Sequence, residues 1–194
     1  MTLIGNLLKN RRAGGAHSAW NLRNLQGPEL LIVTSQDFEE GESIPLEHAG
    51  KRVGGKNLSP HLTWSPPPPE TTELLLVVED LDVPMSKPAV HCLVLVDPSR
   101  LDSPNHLPPG ALSGRAPAAG VRVLRSTIGR GYHGPEPIKG HGPHRYTFEV
   151  FALLSEMCSD SDSTQLHRAS PRALLSSLAA PVVARGRLTG VYER

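Results

Sequence analysis

Two runs in this chain, Leu74-Leu75-Leu76-Val77-Val78 and Leu93-Val94-Leu95-Val96, are apolar at nearly every position. That pattern belongs to strands covered on both faces, since a strand with one wet side alternates. With their flanks the runs predict strands at 73–80 and 90–97, and shorter or alternating stretches predict others at 29–38, 62–64, 121–128, 144–154 and 187–192. Turn chemistry divides them: Ser65-Pro66-Pro67-Pro68-Pro69 is a stiff extended connector, and the proline-rich stretch 98–120 reads as a long loop. One helix is signalled, with Ser170 as N-cap, Pro171 at the first helical position, a stripe of Leu174, Leu175 and Leu178, and Pro181 to end it. No internal repeat is visible.

Composition sharpens this picture. A chain of 194 residues with 38% hydrophobic content forms one domain with a buried core, and 18 Gly with 19 Pro favour many short strands over long helices. Lys plus Arg (20) nearly balance Asp plus Glu (19), so no global field recruits nucleic acid or an anionic membrane, and any anion site must be local. The two cysteines, Cys92 and Cys158, make no disulfide framework, which points to a reducing, cytoplasmic setting. No apolar stretch reaches the roughly 18 residues of a membrane span. Residues 1–28 carry Lys9, Arg11, Arg12 and Arg23, no acid, and Leu3, Ile4, Leu7 and Leu8 at helical spacing. They read as a basic amphipathic extension whose helix packs on the domain of residues 29–194; the alternative is a mitochondrial transit segment.

The stretch Gly129-Arg130-Gly131-Tyr132-His133-Gly134 fits the glycine spacing of dinucleotide turns. Its context does not, because Pro135, Pro137, Gly140, Gly142 and Pro143 leave no helix to receive a pyrophosphate. Polar residues end the apolar strands. In extended chain Asp80 and Asp82 share a side, as do His144 and Tyr146, and His91 begins the second apolar run. Two carboxylates suit a cation, while imidazoles, a phenol and the Gly134 amide suit an anion, so one cavity lined by them suits a small zwitterion or a phosphate beside an amine. The alternative is purely local: Asp80 and Asp82 forming Asx turns before Pro84, and His144 as a hydrogen-bonded strand-end histidine. No zinc-type Cys/His spacing and no Gly-x-Ser-x-Gly elbow occurs. His91 and Cys92, adjacent in a strand, are expected on opposite faces, which argues against a thiol nucleophile.

Several separated segments resemble the phosphatidylethanolamine-binding protein family, which includes the Raf kinase inhibitor protein and bacterial and fungal relatives. They are Ser59-Pro60-His61-Leu62-Thr63-Trp64, Asp80-Leu81-Asp82-Val83-Pro84, His91 at the head of its strand, Tyr132-His133-Gly134-Pro135-Glu136-Pro137 followed by His144-Arg145-Tyr146-Thr147-Phe148, and Gly186-Arg187-Leu188-Thr189-Gly190-Val191-Tyr192-Glu193-Arg194. The resemblance spans 35–194. It implies an antiparallel β-sandwich with a C-terminal helix, and a pocket for phosphate-type groups such as phosphoethanolamine lined by Asp80, Asp82, His91, Gly134, Pro135, His144 and Tyr146, with no cofactor and no metal.

Two departures bear on that expectation. Leu81 replaces a proline between the aspartates, which predicts a looser turn, and the aromatics that flank the pocket histidine are missing, which predicts a wider, more apolar pocket without a cation–π wall. His133 and His141 read as solvated loop residues near the rim. The leading functional reading is a soluble protein binding a small anionic or phosphorylated ligand. Two others stand beside it: an acid/base enzyme (cyclase, dehydratase or isomerase) using Asp82 or His144, and an inhibitor of a kinase or protease through surface contacts. A homodimer through an edge strand or the Leu3-to-Leu8 stripe is a further expectation.

Overall fold

A computed structural model of the chain describes residues 3–157 and 168–194; Cys158 lies outside them. Among the described residues eight strands form two antiparallel sheets. The smaller has the order β1 (Val33–Thr34), β2 (Leu62–Trp64), β5 (His106–Leu107). The larger runs β6 (Val121–Val123), β4 (Ala89–Val96), β3 (Glu73–Asp80), β7 (His144–Leu153), β8 (Val182–Tyr192). Its inner face, carrying Leu74, Leu76, Val94, Phe148 and Val150, packs with Val33, Leu62, Trp64 and Leu107 of the smaller sheet. Its outer face, carrying Leu75, Val77, Leu93, Leu95 and Phe151, is covered by Trp20, Leu25 and the leucines of helix α2 (Pro171–Ser177). Both faces are therefore dry, which is why β3 and β4 read as unbroken apolar runs.

Helix α2 forms as its sequence dictates: the Ser170 hydroxyl accepts the Ala173 amide at 3.3 Å, and Leu174, Leu175 and Leu178 are buried. Elsewhere tertiary pairing reset the boundaries. The strand expected at 29–38 contracts to the two residues of β1 that find partners in β2, leaving Leu30 and Ile32 exposed. The strand expected at 121–128 stops at Val123, because the Ser126 hydroxyl accepts the Ile128 and Gly129 amides and turns the chain. The long loop 98–120 contains β5, held by β2, and β8 starts directly after Pro181.

Residues 3–28 pack differently from expectation. Helix α1 (Leu3–Leu8) forms, but Leu3, Ile4 and Leu7 point to solvent; the helix seats on the domain through Gly5, where a Cβ would come within 2.2 Å of the Lys139 carbonyl. The chain that follows is part of the fold, with Ala19 and Leu25 fully buried and Trp20 against Phe151 at 6.0 Å. Beneath this cover the outer face holds two acids, Glu79 and Glu149, both fully buried. Glu79 meets the Ala19 amide at 2.7 Å and the Arg172 guanidinium. Neither carboxylate oxygen of Glu149 has a hydrogen-bond partner among the described residues.

Candidate functional site

The site grows from the ends of β3, β4 and β7. Asp80 closes β3 directly opposite Tyr146 of β7. Across β4 the register slips: Val78 pairs with Cys92 and Glu79 with Val90, so His91 is the extra residue of a bulge. Strict alternation puts His91 on the outer face with Leu93. The bulge brings its ring beside Tyr146 instead, edge-on at 5.2 Å, on the side where Cys92 also lies. The expectation of opposite faces for His91 and Cys92 fails here for that reason. Burial pushes the Cys92 thiol far up, and it remains an inert core residue.

A cavity of about 710 Å³ opens at these strand ends. Asp80, His91, Gly134, His144 and Tyr146 line it; Asp82 and Pro135 do not. Val83, Pro84, Met85, Ile128 and Ile138 supply an apolar wall, and Arg52 and Glu136 stand at its polar side.

Asp82 turns away into ion pairs. Its carboxylate takes the Arg145 amide, Nε and NH2 at 2.8–2.9 Å and lies 3.1 Å from NH1 of Arg12. Burial alone raises such a carboxyl, but the Arg145 and Arg12 hydrogen bonds outweigh it and hold Asp82 down at about 2. Held this way, Asp82 is an ionised anchor for Arg145 and Arg12. The turn before it is also tight rather than loose. The Asp82 amide donates to Oδ1 of Asp80 at 2.8 Å, and Leu81 donates its amide to the Arg145 carbonyl at 3.0 Å. A proline at 81 has no N–H to give.

His144 lies inside a buried relay. Its Nδ1 meets both Asp80 oxygens at 2.8 and 3.0 Å, and its Nε2 meets Nδ1 of His141 at 2.7 Å. His141, expected to be solvated, is fully buried, with Nε2 facing the carbonyls of Leu8 and Arg11 at 2.8 and 3.1 Å. Proton positions follow from the partners. A carbonyl only accepts, so Nε2 of His141 carries a hydrogen; the carboxylate bond needs a second and the imidazole–imidazole contact a third. Both nitrogens of His144 are engaged, so it borders the cavity without a free donor or acceptor. The sequence did carry a signal for His141, as the histidine three residues before His144 in Gly140-His141-Gly142-Pro143-His144.

The opposite wall is set by a residue that sequence reasoning missed. Asn57, at a left-handed φ of 58°, donates Nδ2 to the Tyr132 carbonyl at 3.0 Å and accepts the Gly134 amide on Oδ1 at 2.8 Å. The Gly134 amide, expected to face an anion, is used in this brace. Gly134 itself packs so closely that a Cβ would stand 2.1 Å from the His48 carbonyl. Asn57→Ala is expected to lower stability by about 1–3 kcal/mol, from two lost bonds and an unfavourable backbone angle, measured by urea unfolding. Asn57→Gly separates the two effects by keeping the angle and losing only the bonds.

Three groups in the cavity wall have an atom without a protein partner: one is the buried Nε2 of His133, and the other two, on His91 and Tyr146, stand together. His91 donates Nδ1 to the His133 carbonyl at 2.7 Å, which leaves Nε2 with a lone pair; burial holds its pKa below 6.5 against the raising effect of Asp80. The Tyr146 hydroxyl is buried and has no partner of good hydrogen-bond geometry among the described residues, although the Asp80 carboxylate is near enough to act on it; burial, then the Asp80 charge and side-chain contact, push its phenol far up, so it stays a proton donor. One acceptor and one donor therefore stand side by side in a largely apolar hollow.

Over residues 34–193 the sequence matches the phosphatidylethanolamine-binding protein family. It is 30% identical over 173 residues to a UPF0098 protein of Aquifex aeolicus, covering 87% of this chain and 91% of that protein. It is 34% identical over 176 residues to the UPF0098 protein YbcL of Escherichia coli, covering 83% and 86%. The crystal structure of YbcL, described as a new member of the mammalian family, matches this fold with a TM-score of 0.71 at 31% identity, over 84% of this chain and 98% of that one. The matched stretch takes in every residue bordering the cavity, and by these likenesses in sequence and fold the chain belongs to the phosphatidylethanolamine-binding protein family.

Proposed function

We propose that the cavity binds a small ligand through a singly protonated phosphate-type group, as on a phosphoethanolamine head. The observation that carries this reading is the buried, unpartnered Tyr146 hydroxyl beside the unprotonated Nε2 of His91. A monoanionic phosphoryl group matches both: its P–O⁻ accepts from Tyr146 and its P–OH donates to His91. The Arg52 guanidinium at the mouth adds charge, and the apolar wall takes the rest of the ligand. Asp80 and His144 act behind the surface, fixing the strand ends.

A thermal-shift titration with inorganic phosphate, ethanolamine and phosphoethanolamine tests this. Ligand at 100 times its dissociation constant adds about 2.7 kcal/mol of stability. Tyr146→Phe, which removes one oxygen, is expected to weaken binding about tenfold or more without unfolding the protein. Affinity is also expected to rise as pH falls. The site takes the monoanion, whose remaining proton is lost at about pH 6 and above, while His91, held below its ordinary value by burial, stays unprotonated to accept it; binding therefore takes up a proton where the free ligand is a dianion and levels off where it is already a monoanion. A saturable shift unchanged in Tyr146→Phe, or no shift with phosphate or phosphoethanolamine, overturns the reading.

A further inference from the structure

Beside the cavity, sharing Arg52, Asn57, His133 and Glu136 with it, lies a second hollow of about 820 Å³. Three separate stretches bring cations to it: Lys51, Arg52 and Lys56 from one loop, Arg115 from another and Arg130 from a third. Among the described residues that line it, Glu136 is the one acid. In a chain of net charge +1, five cations around one acid concentrate positive potential in a concave place, where field lines focus. Lys56 is tied to Glu47 at 3.3 Å, whereas Lys51, Arg52 and Arg115 form no ion pair among the described residues.

The walls are held in place. At Gly131, with φ of 74°, a Cβ would meet the Gly114 amide nitrogen at 2.2 Å, so the loops bearing Arg115 and Arg130 cross backbone to backbone. Asn57 braces the third side through Tyr132 and Gly134. The cations are thus presented by crossed backbones rather than by independent flexible loops. Tyr132, the aromatic of the lining, is buried, so no exposed ring is offered for base stacking.

We propose that this hollow is a second anion subsite, and that the ligand carries two phosphoryl-type groups, one in the cavity and one here, joined across Arg52 and His133. The proposal rests on the phosphate reading of the cavity. Engaging both subsites with one molecule makes the second contact intramolecular, which strengthens binding well beyond a single group.

Calorimetric titration with phosphate, pyrophosphate and tripolyphosphate tests it. Tripolyphosphate is expected to bind at least tenfold tighter than phosphate. Lys51→Glu/Arg115→Glu, at two exposed positions, is expected to remove that gain and leave phosphate affinity unchanged. A control reversal of two exposed cations that line neither hollow, Lys9→Glu/Arg23→Glu, is expected to keep the gain. Phosphate that binds while tripolyphosphate gains nothing, or a gain lost equally in both double variants, overturns the second subsite. Phosphate that does not bind at all sinks the cavity reading first.

Discussion

Asp80→Ala is expected to cost about 3–5 kcal/mol of folding stability, the range for removing one partner of a buried charge pair. Asp80 and His144 have side chains only 5% and 2% exposed and meet at 2.8 Å. Without the carboxylate, the Nδ1 hydrogen of the buried His144 has no acceptor. The Asp82 amide loses its partner as well. Asp80→Asn, which keeps the shape and one oxygen for that amide, is expected to lose less. Urea unfolding of both variants checks the order. Equal losses would mean that volume and the local turn, not charge, set the cost.

Glu149→Gln is expected to act in the other direction, raising stability at pH 8 by about 1–4 kcal/mol, as uncharged replacements of buried ions often do. Burial, then the Glu79 charge, push the Glu149 carboxyl well above 4.5 despite Thr147, Arg187 and Arg172, and burial brings Glu79 up to about 7 against Arg172 and the Ala19 amide. The folded protein therefore binds more protons than the unfolded chain over this range. Stability from these groups is full below 4.5 and declines as pH rises towards the folded values. Glutamine removes that decline for position 149 and leaves Arg172 to pair with Glu79 alone. The check is the slope of unfolding free energy against pH from 5 to 8: wild type should fall more steeply than Glu149→Gln. Parallel slopes would show that Glu149 carries no excess proton. Asp82 works with the opposite sign, since its carboxyl is depressed: its contribution is present above about 4 and lost as pH falls towards 2.

What was legible in the sequence follows how far each signal depends on neighbours in the chain. The strand at 73–80 is β3 without change, because an apolar run covered on both faces needs no partner to announce it. The helix after Ser170 is equally local, since a hydroxyl cap, a proline at the first position and a leucine stripe all act within two turns. Asp80, His91, His144 and Tyr146 stood out as polar residues ending apolar strands, and the fold does bring them to one cavity. The same signal was present, unused, in Glu79 and Glu149, acids set within runs whose other members are core.

Tertiary structure decided the rest. Alternation along β4 assigns His91 to the wrong face, because a bulge is a property of two paired strands and not of one. Spacing puts Asp82 beside Asp80, yet Arg145 and Arg12 draw it aside from positions 63 residues later and 70 residues earlier in the chain. His141 looked solvated between two glycines until Leu8 and Arg11, more than 100 residues away, supplied carbonyls for it. Periodicity records which face of an element avoids water. It does not record which distant donor meets a buried polar group, and in this protein those pairings determine which atoms of the cavity remain free for a ligand.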